Sequence, residues 1–191
     1  MHLDKSKTLL NLAKSFAGEA QAGLRYQFTA ELAKNQGYKI LSDEIKKLAK
    51  NEVNHAKVFF KAITDGAGNL DNIEITAGYP FKGTTIEEGL RFAIEAEKDE
   101  VEIYSEYAKI ADEEGFTDIA TKFRLISDVE KHHADIFEFL HEGFTKNLLY
   151  QSDKPLIWQC SECGFTHTST KAWNVCPLCS STQGFVELKL K

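Results

Sequence analysis

The first 159 residues of this 191-residue chain contain no cysteine, so no disulfide framework holds them. Proline is scarce, at three residues, which leaves long stretches without a helix breaker. Basic residues are in deficit: 23 Lys and Arg against 29 Asp and Glu give a net charge of −6, which argues against a partner with a phosphate backbone and so against nucleic acid. The acidity is local. Residues 156–191 hold three Lys and two Glu, so residues 1–155 carry −7. No apolar run reaches the roughly 20 residues that cross a bilayer, and the start, MHLDKSKTLLNLAKSF, is interrupted by lysines and polar residues where a secretory signal needs an apolar core. The expectation is a cytoplasmic protein without a membrane partner.

What is present is helical periodicity. Leu9, Leu12, Phe16, Ala20, Leu24, Phe28 and Leu32 recur at helical spacing across residues 4–36, before a turn at Gly37. A second helix is expected from about Ile40 to Thr64, then a loop through AGYPFKG. Thr85-x-x-Glu88 reads as a capping box that opens a third helix, stopped at Gly115, and a fourth runs from about Thr117 to Glu142, ahead of Gly143. Four long amphipathic segments with short turns at Gly37 and Gly115, and a longer crossover over 66–83, predict a four-helix bundle.

The chain also repeats itself. At an offset of 78 residues Gly37 falls on Gly115, Glu19 on Glu97, Tyr26 on Tyr104, Ala33 on Ala111, Glu52 on Glu130, His55 on His133 and Phe59 on Phe137. A duplicated core requires matched apolar residues only, so matched Glu and His point to another demand. Each Glu-x-x-His pair shares one helix face. In each hairpin the first Glu lies 18 residues before the turn glycine, the second 15 after it and the His 18 after it, depths of roughly 22 to 27 Å along the helices. Four carboxylates and two imidazoles thus meet in one layer. Buried together they would repel one another unless cations compensate. One Glu from each of two helices plus Glu-x-x-His from each of the other two is the donor set of ferritin-like di-iron bundles. Oxygen-rich ligation with one imidazole per metal suits iron or manganese. Glu100, three residues after Glu97 and matched by Ala22 in the first hairpin, adds a carboxylate on one side only. Tyr26 and Tyr104 are candidate hydrogen-bond donors to the ligating carboxylates, or else core aromatics. His132, turned about 100° from His133, is expected at the surface.

The four cysteines form C-x2-C-x12-C-x2-C at Cys160, Cys163, Cys176 and Cys179, two tight turns that make a tetrahedral S4 site for zinc or a single iron. Some 36 residues with Trp158, Phe165, Trp173 and Phe185 as their core would scarcely fold without that metal. A redox-inactive zinc explains nothing about an adjacent dimetal bundle, whereas Fe(Cys)4 passes single electrons; iron is the reading favoured here.

In this order, Glu19, Glu52-x-x-His55, Glu97-x-x-Glu100, Glu130-x-x-His133 and the Cys160/Cys163/Cys176/Cys179 tail closely resemble the rubrerythrin family over essentially the whole chain. The resemblance implies a mainly α fold: a ferritin-like four-helix bundle over 1–146, a linker over 147–155 and a small rubredoxin-like Fe(Cys)4 domain over 156–191. It implies three irons per chain and reduction of hydrogen peroxide to water, as part of defence against oxidative stress. It further implies a homodimer in which the rubredoxin-like domain of one subunit approaches the di-iron site of the other. Under the same resemblance Glu52 and Glu130 bridge the irons, Glu19 and Glu100 hold one, Glu97 and His133 the other, and His55 exchanges with Glu100. Catalysis then falls to Glu52, Glu130, Glu100 and His55. Ser180 stands where that family carries glycine. No dinucleotide fingerprint occurs, so electrons are expected from a separate NAD(P)H-dependent reductase or a rubredoxin. The alternatives are a ferritin-like iron-oxidising and storage protein, and a zinc-ribbon adaptor on an inert bundle.

Overall fold

The four long helices form, and their ends are chemically specified. In the computed structural model, which describes residues 2–188 and Leu190, α1 spans Lys7–Asn35, α2 Lys39–Ala67, α3 Ile86–Glu113 and α4 Thr117–Thr145. The Ser6 hydroxyl accepts from the Leu9 N–H at 3.1 Å and opens α1. At α3, Thr85 Oγ1 accepts from the Glu88 N–H at 3.2 Å, while the Glu88 carboxylate takes the Thr84 N–H at 3.0 Å, one residue outside an ideal capping box. Gly37 and Gly115 both adopt left-handed backbone, with φ of 88° and 86°. Each lets the next residue fold back, Tyr38 N–H onto the Ala33 carbonyl and Phe116 N–H onto that of Ala111.

Two details differ from the pattern in the sequence. Phe16, Leu24 and Phe28 lie on the outer face of α1, with Leu24 and Phe28 more than half exposed. The inward face is instead Leu12, Glu19, Ala22, Tyr26, Ala30 and Ala33, all fully or nearly fully buried. Close approach to α2 selects small residues there: a Cβ at Gly23 would lie 3.2 Å from the Ala49 carbonyl oxygen. Helix α4 also passes through Gly143 to Thr145, because Leu149 packs where a Cβ on Gly143 would sit, at 2.6 Å.

The hairpins α1–α2 and α3–α4 lie side by side in opposite senses, so the Gly37 turn marks one end of the bundle and the Gly115 turn the other. Two apolar clusters follow. One joins Tyr26, Ala30, Leu41, Ile45, Leu90 and Phe137 at the Gly37 end. The second joins Leu12, Phe59, Tyr104, Phe123 and their neighbours toward Gly115. Between them the interior turns polar, with Glu19, Glu52, Glu97 and Glu130 all at 0% exposure and His133 at 1%.

After α4, β1 (Gln151–Gln159) and β2 (Thr166–Lys171) form an antiparallel pair, with a register shift between Gln151 and Leu156 where Pro155 offers no N–H. The stretch 147–155 is thus half strand, and Leu149 and Tyr150 are buried. Trp158, Ala172, Val186 and Leu188 belong to the same apolar cluster as the Gly37 end of the bundle. The contact is tight: a Cβ on Gly184 would stand 1.7 Å from the carbonyl oxygen of Gly37. No helix among the described residues is long and apolar enough to cross a membrane.

Candidate metal centres

Each helix delivers its acidic residue to the same depth, and the donor atoms gather into two groups. Glu19, Glu52, His55 and Glu130 each place one ligand atom within 4.8 Å of the others, and so do Glu52, Glu97, Glu130 and His133. Glu52 and Glu130 belong to both. His55 Nδ1 lies 2.8 Å from Glu130 Oε1 and 3.3 Å from Glu52 Oε2, while His133 Nδ1 lies 2.8 Å from Glu130 Oε2 and 3.0 Å from Glu52 Oε1. Each shared carboxylate therefore turns one oxygen to each imidazole, the disposition of a bridge between two ions. Glu19 completes the first group, 3.5 Å from His55, and Glu97 the second, 3.7 Å from His133. The rings of His55 and His133 stack with centroids 5.7 Å apart.

A cation pair fits this layer. Both oxygens of Glu52 and Glu130, Glu19 Oε2, Glu97 Oε2 and both Nδ1 atoms are buried yet make no aligned hydrogen bond. They point at common centres rather than at one another, which leaves costly unpaired groups unless an ion takes them up. Protons are the only substitute. Burial drives Glu19 well above the usual carboxylate range and Glu97 to about 8. Burial would raise Glu52 too, but contacts with His133 and His55 outweigh it and hold it near 2. Burial would lower both imidazoles, yet the carboxylates around them, Glu130 first, hold His55 and His133 protonated to about 12. A metal-free layer would thus be a proton cage.

Glu100 stands in neither group of four. Its Oε2 is buried without a partner, and burial, with Glu19 and Glu97 nearby, raises its pKa well above the usual carboxylate range. The tyrosines pair across the hairpins: Tyr26 donates to Glu97 Oε1 at 2.6 Å, and Tyr104 to Glu19 Oε1 at 2.5 Å. His132 is exposed, as its position on α4 requires. Asn51 was not legible as part of the site, yet its amide lies 3.2 Å from His133 Nε2. With Nδ1 turned to the cluster, Nε2 carries the proton and needs an acceptor, which the amide oxygen supplies after a half turn of that group. The internal repeat gives no hint of it, because Asn51 falls on Val129.

The four cysteines also converge. Cys160 and Cys179 Sγ are 3.8 Å apart, and Cys163 and Cys176 3.7 Å. Those are the edges of a tetrahedron whose centre lies about 2.3 Å from each sulfur. Gly164, with φ of 74°, and Ser180, with φ of 64°, occupy equivalent places in the two cysteine turns. Ser181, unremarked in the sequence, sets its hydroxyl 3.2 Å from both Cys160 and Cys179 Sγ. Burial would raise the Cys160 thiol, but this hydroxyl and the N–H groups of Cys163 and Glu162 bring it down to about 6. With two shared-carboxylate groups and one S4 group, the donors accommodate three irons per chain.

The rubrerythrin family profile matches residues 11–86 and 88–159, and the profile "Rubrerythrin, rubredoxin-like domain" matches 158–185. The rubrerythrin of Clostridium perfringens is 37% identical over 188 residues, covering 97% of this chain and 96% of the relative. That of Porphyromonas gingivalis is 37% identical over 185 residues, covering 95% and 90%. Among solved structures, partially reduced nigerythrin superposes with a TM-score of 0.63 at 21% identity, covering 97% of this chain and 90% of its own. A Desulfovibrio desulfuricans bacterioferritin, described with a di-iron site in different catalytic states, superposes with a TM-score of 0.67 at 22% identity, covering 74% and 82%. These two likenesses concern the fold: a ferritin-like bundle, here followed by a small sheet that carries four cysteines. Matched in both modules, in order and along nearly its whole length, this chain belongs to the rubrerythrin family.

Proposed function

We propose that the protein is a peroxidase that reduces hydrogen peroxide to water at the carboxylate and histidine layer, with electrons relayed through the cysteine module. The observation that carries this reading is the sharing of Glu52 and Glu130 between two four-donor groups in a chain that also brings its own S4 site. When bound, the iron pair supplies the two electrons that break the O–O bond and is restored by single electrons from Fe(Cys)4. An iron store has no use for the second module, whereas a redox enzyme does.

The residues divide the remaining work. Glu52 and Glu130 would be shared by the two irons, Glu19 with His55 would hold one and Glu97 with His133 the other. Glu100, one helical turn from Glu97, would be the carboxyl that could exchange with His55 in holding the first iron. Its buried, unpartnered Oε2 is available either to an iron or to a proton. Tyr104 and Tyr26 fix the orientation of Glu19 and Glu97. The cysteine module docks at the Gly37 end, and Glu52 lies fifteen residues further along α2, roughly 22 Å away. So long a path within one chain favours a homodimer in which each module serves the partner's site. Four cysteines gathered for a metal, with no disulfide among them, suit a reducing cytoplasm, where an NAD(P)H-dependent reductase or a rubredoxin supplies the electrons.

Anaerobic mixing of the reduced, iron-loaded protein with hydrogen peroxide tests the proposal. Oxidation of the bundle site is expected within the mixing experiment, with two electrons consumed per peroxide. Glu52→Ala or Glu130→Ala is expected to abolish it while the iron–thiolate absorption stays. Normal turnover in both variants would remove the bundle site from the reaction.

A further inference from the structure

A cavity of about 510 Å³ opens between α1 and α3 beneath the crossover segment at Thr76–Lys82. Its inner wall is Glu100 and Tyr104, the latter hydrogen-bonded to Glu19, so it runs from the surface to the edge of the metal layer. Hydrogen peroxide has two heavy atoms and needs about twice the ~30 Å³ of a water molecule. The cavity is several times larger than that and falls within the ~300–1,000 Å³ typical of sites for organic ligands.

Its lining is organic in character. Tyr79, Phe92, Ile103 and Tyr107 present rings and an aliphatic chain. Three polar atoms in these walls lack partners although buried: the Ser15 and Tyr79 hydroxyls and Glu100 Oε2. A bare peroxide would leave most of this surface unmatched, while water filling it would leave the rings wet. The charged side chains around it, Lys14, Arg25 and Lys82 against Glu95 and Asp99, nearly balance, which suits a neutral guest.

From this we infer a second substrate class: neutral organic hydroperoxides, with the hydrocarbon group in the cavity and the peroxide end toward Glu100. The inference rests on the peroxidase reading above. The reaction is ROOH + 2 e⁻ + 2 H⁺ giving ROH + H₂O. The O–O bond breaks, both oxygens are reduced by the two electrons that the bundle site delivers, and the alcohol leaves by the same opening. Both protons come from solvent through the cavity opening.

Cumene hydroperoxide is a suitable probe, and its product, 2-phenyl-2-propanol, reports binding without any redox step. Two variants fill the cavity. A Cβ on Gly18 meets nothing within 4 Å, so Gly18→Phe projects into free space, and Ala77→Phe adds bulk from the crossover segment that also lines the cavity. Equilibrium dialysis is expected to show 2-phenyl-2-propanol bound by the iron-loaded protein and lost in both variants. Anaerobic mixing is expected to give oxidation by cumene hydroperoxide, with one alcohol formed per two electrons, slowed about tenfold in the variants. The rate with hydrogen peroxide should fall less than twofold. Oxidation by hydrogen peroxide but not by cumene hydroperoxide would overturn the inference and leave the peroxidase reading standing, as would equal losses for both oxidants in both variants. If neither oxidises the protein, the peroxidase reading itself has failed and this inference falls with it, while the dialysis still shows whether the cavity binds the alcohol.

Discussion

The Tyr104 hydroxyl on α3 donates to Glu19 of α1, and the repeat-related Tyr26 hydroxyl on α1 donates to Glu97 of α3. Each hairpin thus orients the other's terminal carboxylate, and the metal layer is a property of the pair. The arrangement also explains why both tyrosines are almost fully buried, at 2% exposure, within apolar clusters: their rings are core and only their hydroxyls belong to the site.

Removing one hydroxyl separates these roles. Tyr104→Phe keeps the ring against Phe59 and Phe123, at centroid distances of 5.5 and 5.8 Å, but frees Glu19 Oε1. Iron affinity of the bundle site is expected to fall roughly 10- to 100-fold, with little change in helix content. Competition with a chelator measures it, and the cysteine-bound iron serves as the unaffected internal reference.

Much of this architecture was legible in the sequence, because both the helices and the ligands repeat with one interval. Gly37 and Gly115 fixed the turns through a backbone conformation that glycine adopts without strain. The six side chains that gather in the layer were legible since core packing alone gives no reason to match Glu and His. What stayed hidden depended on contacts between elements. Phe16, Leu24 and Phe28 trace a helical stripe, yet α1 turns its small residues and Glu19 inward, because the site and the close α2 contact outrank hydrophobicity. Asn51 and Ser181 lie outside any motif, and only the folded geometry brings them to His133 and to two cysteines.

Metal removal makes stability depend on pH in a direction set by the proton cage. In the metal-free fold both imidazoles are held protonated to about 12 against an ordinary 6.5, and Glu97 to about 8 against an ordinary 4.5. For each group the folded chain holds its proton more tightly than the unfolded chain, so stability falls as pH rises from about 4.5 toward 12. Glu52, held near 2, acts oppositely, but only below its ordinary 4.5. Melting temperatures of the metal-free protein are expected to decline steadily between pH 5 and 9. The iron-loaded protein should lack most of that slope, and iron uptake at neutral pH should release protons measurable with an indicator dye.

Ser181 should set the potential of the cysteine-bound iron. Its hydroxyl lies 3.2 Å from two sulfurs and has one proton to donate between them, a bond that strengthens as the thiolates gain negative charge on reduction. Ser181→Ala is therefore expected to lower the midpoint potential. A difference of about 1 kcal/mol between the two oxidation states corresponds to a shift on the order of 40 mV. Spectroelectrochemical titration of the iron–thiolate absorption reads it directly, and an unchanged potential would assign the hydroxyl to turn geometry alone.

Gly184 controls where the cysteine module sits. The backbone carbonyl of Gly37 occupies the space that a side chain would need, with a Cβ only 1.7 Å from its oxygen and 3.3 Å from Tyr38 Cα, so neither partner has a flexible atom to move aside. Gly184→Ala must therefore separate the module from the bundle end, exposing part of the cluster shared by Trp158, Val186, Leu188 and Leu140. The four cysteines and both bundle donor groups lie elsewhere, so both metal sites should load normally. The expected signature is loss of about 1–3 kcal/mol of stability together with new protease cleavage over 147–155, while the iron–thiolate spectrum is retained. If the module serves a neighbouring subunit's metal layer, the same substitution should also slow re-reduction of the bundle site more than it slows peroxide-driven oxidation, because only the first step depends on the module's position.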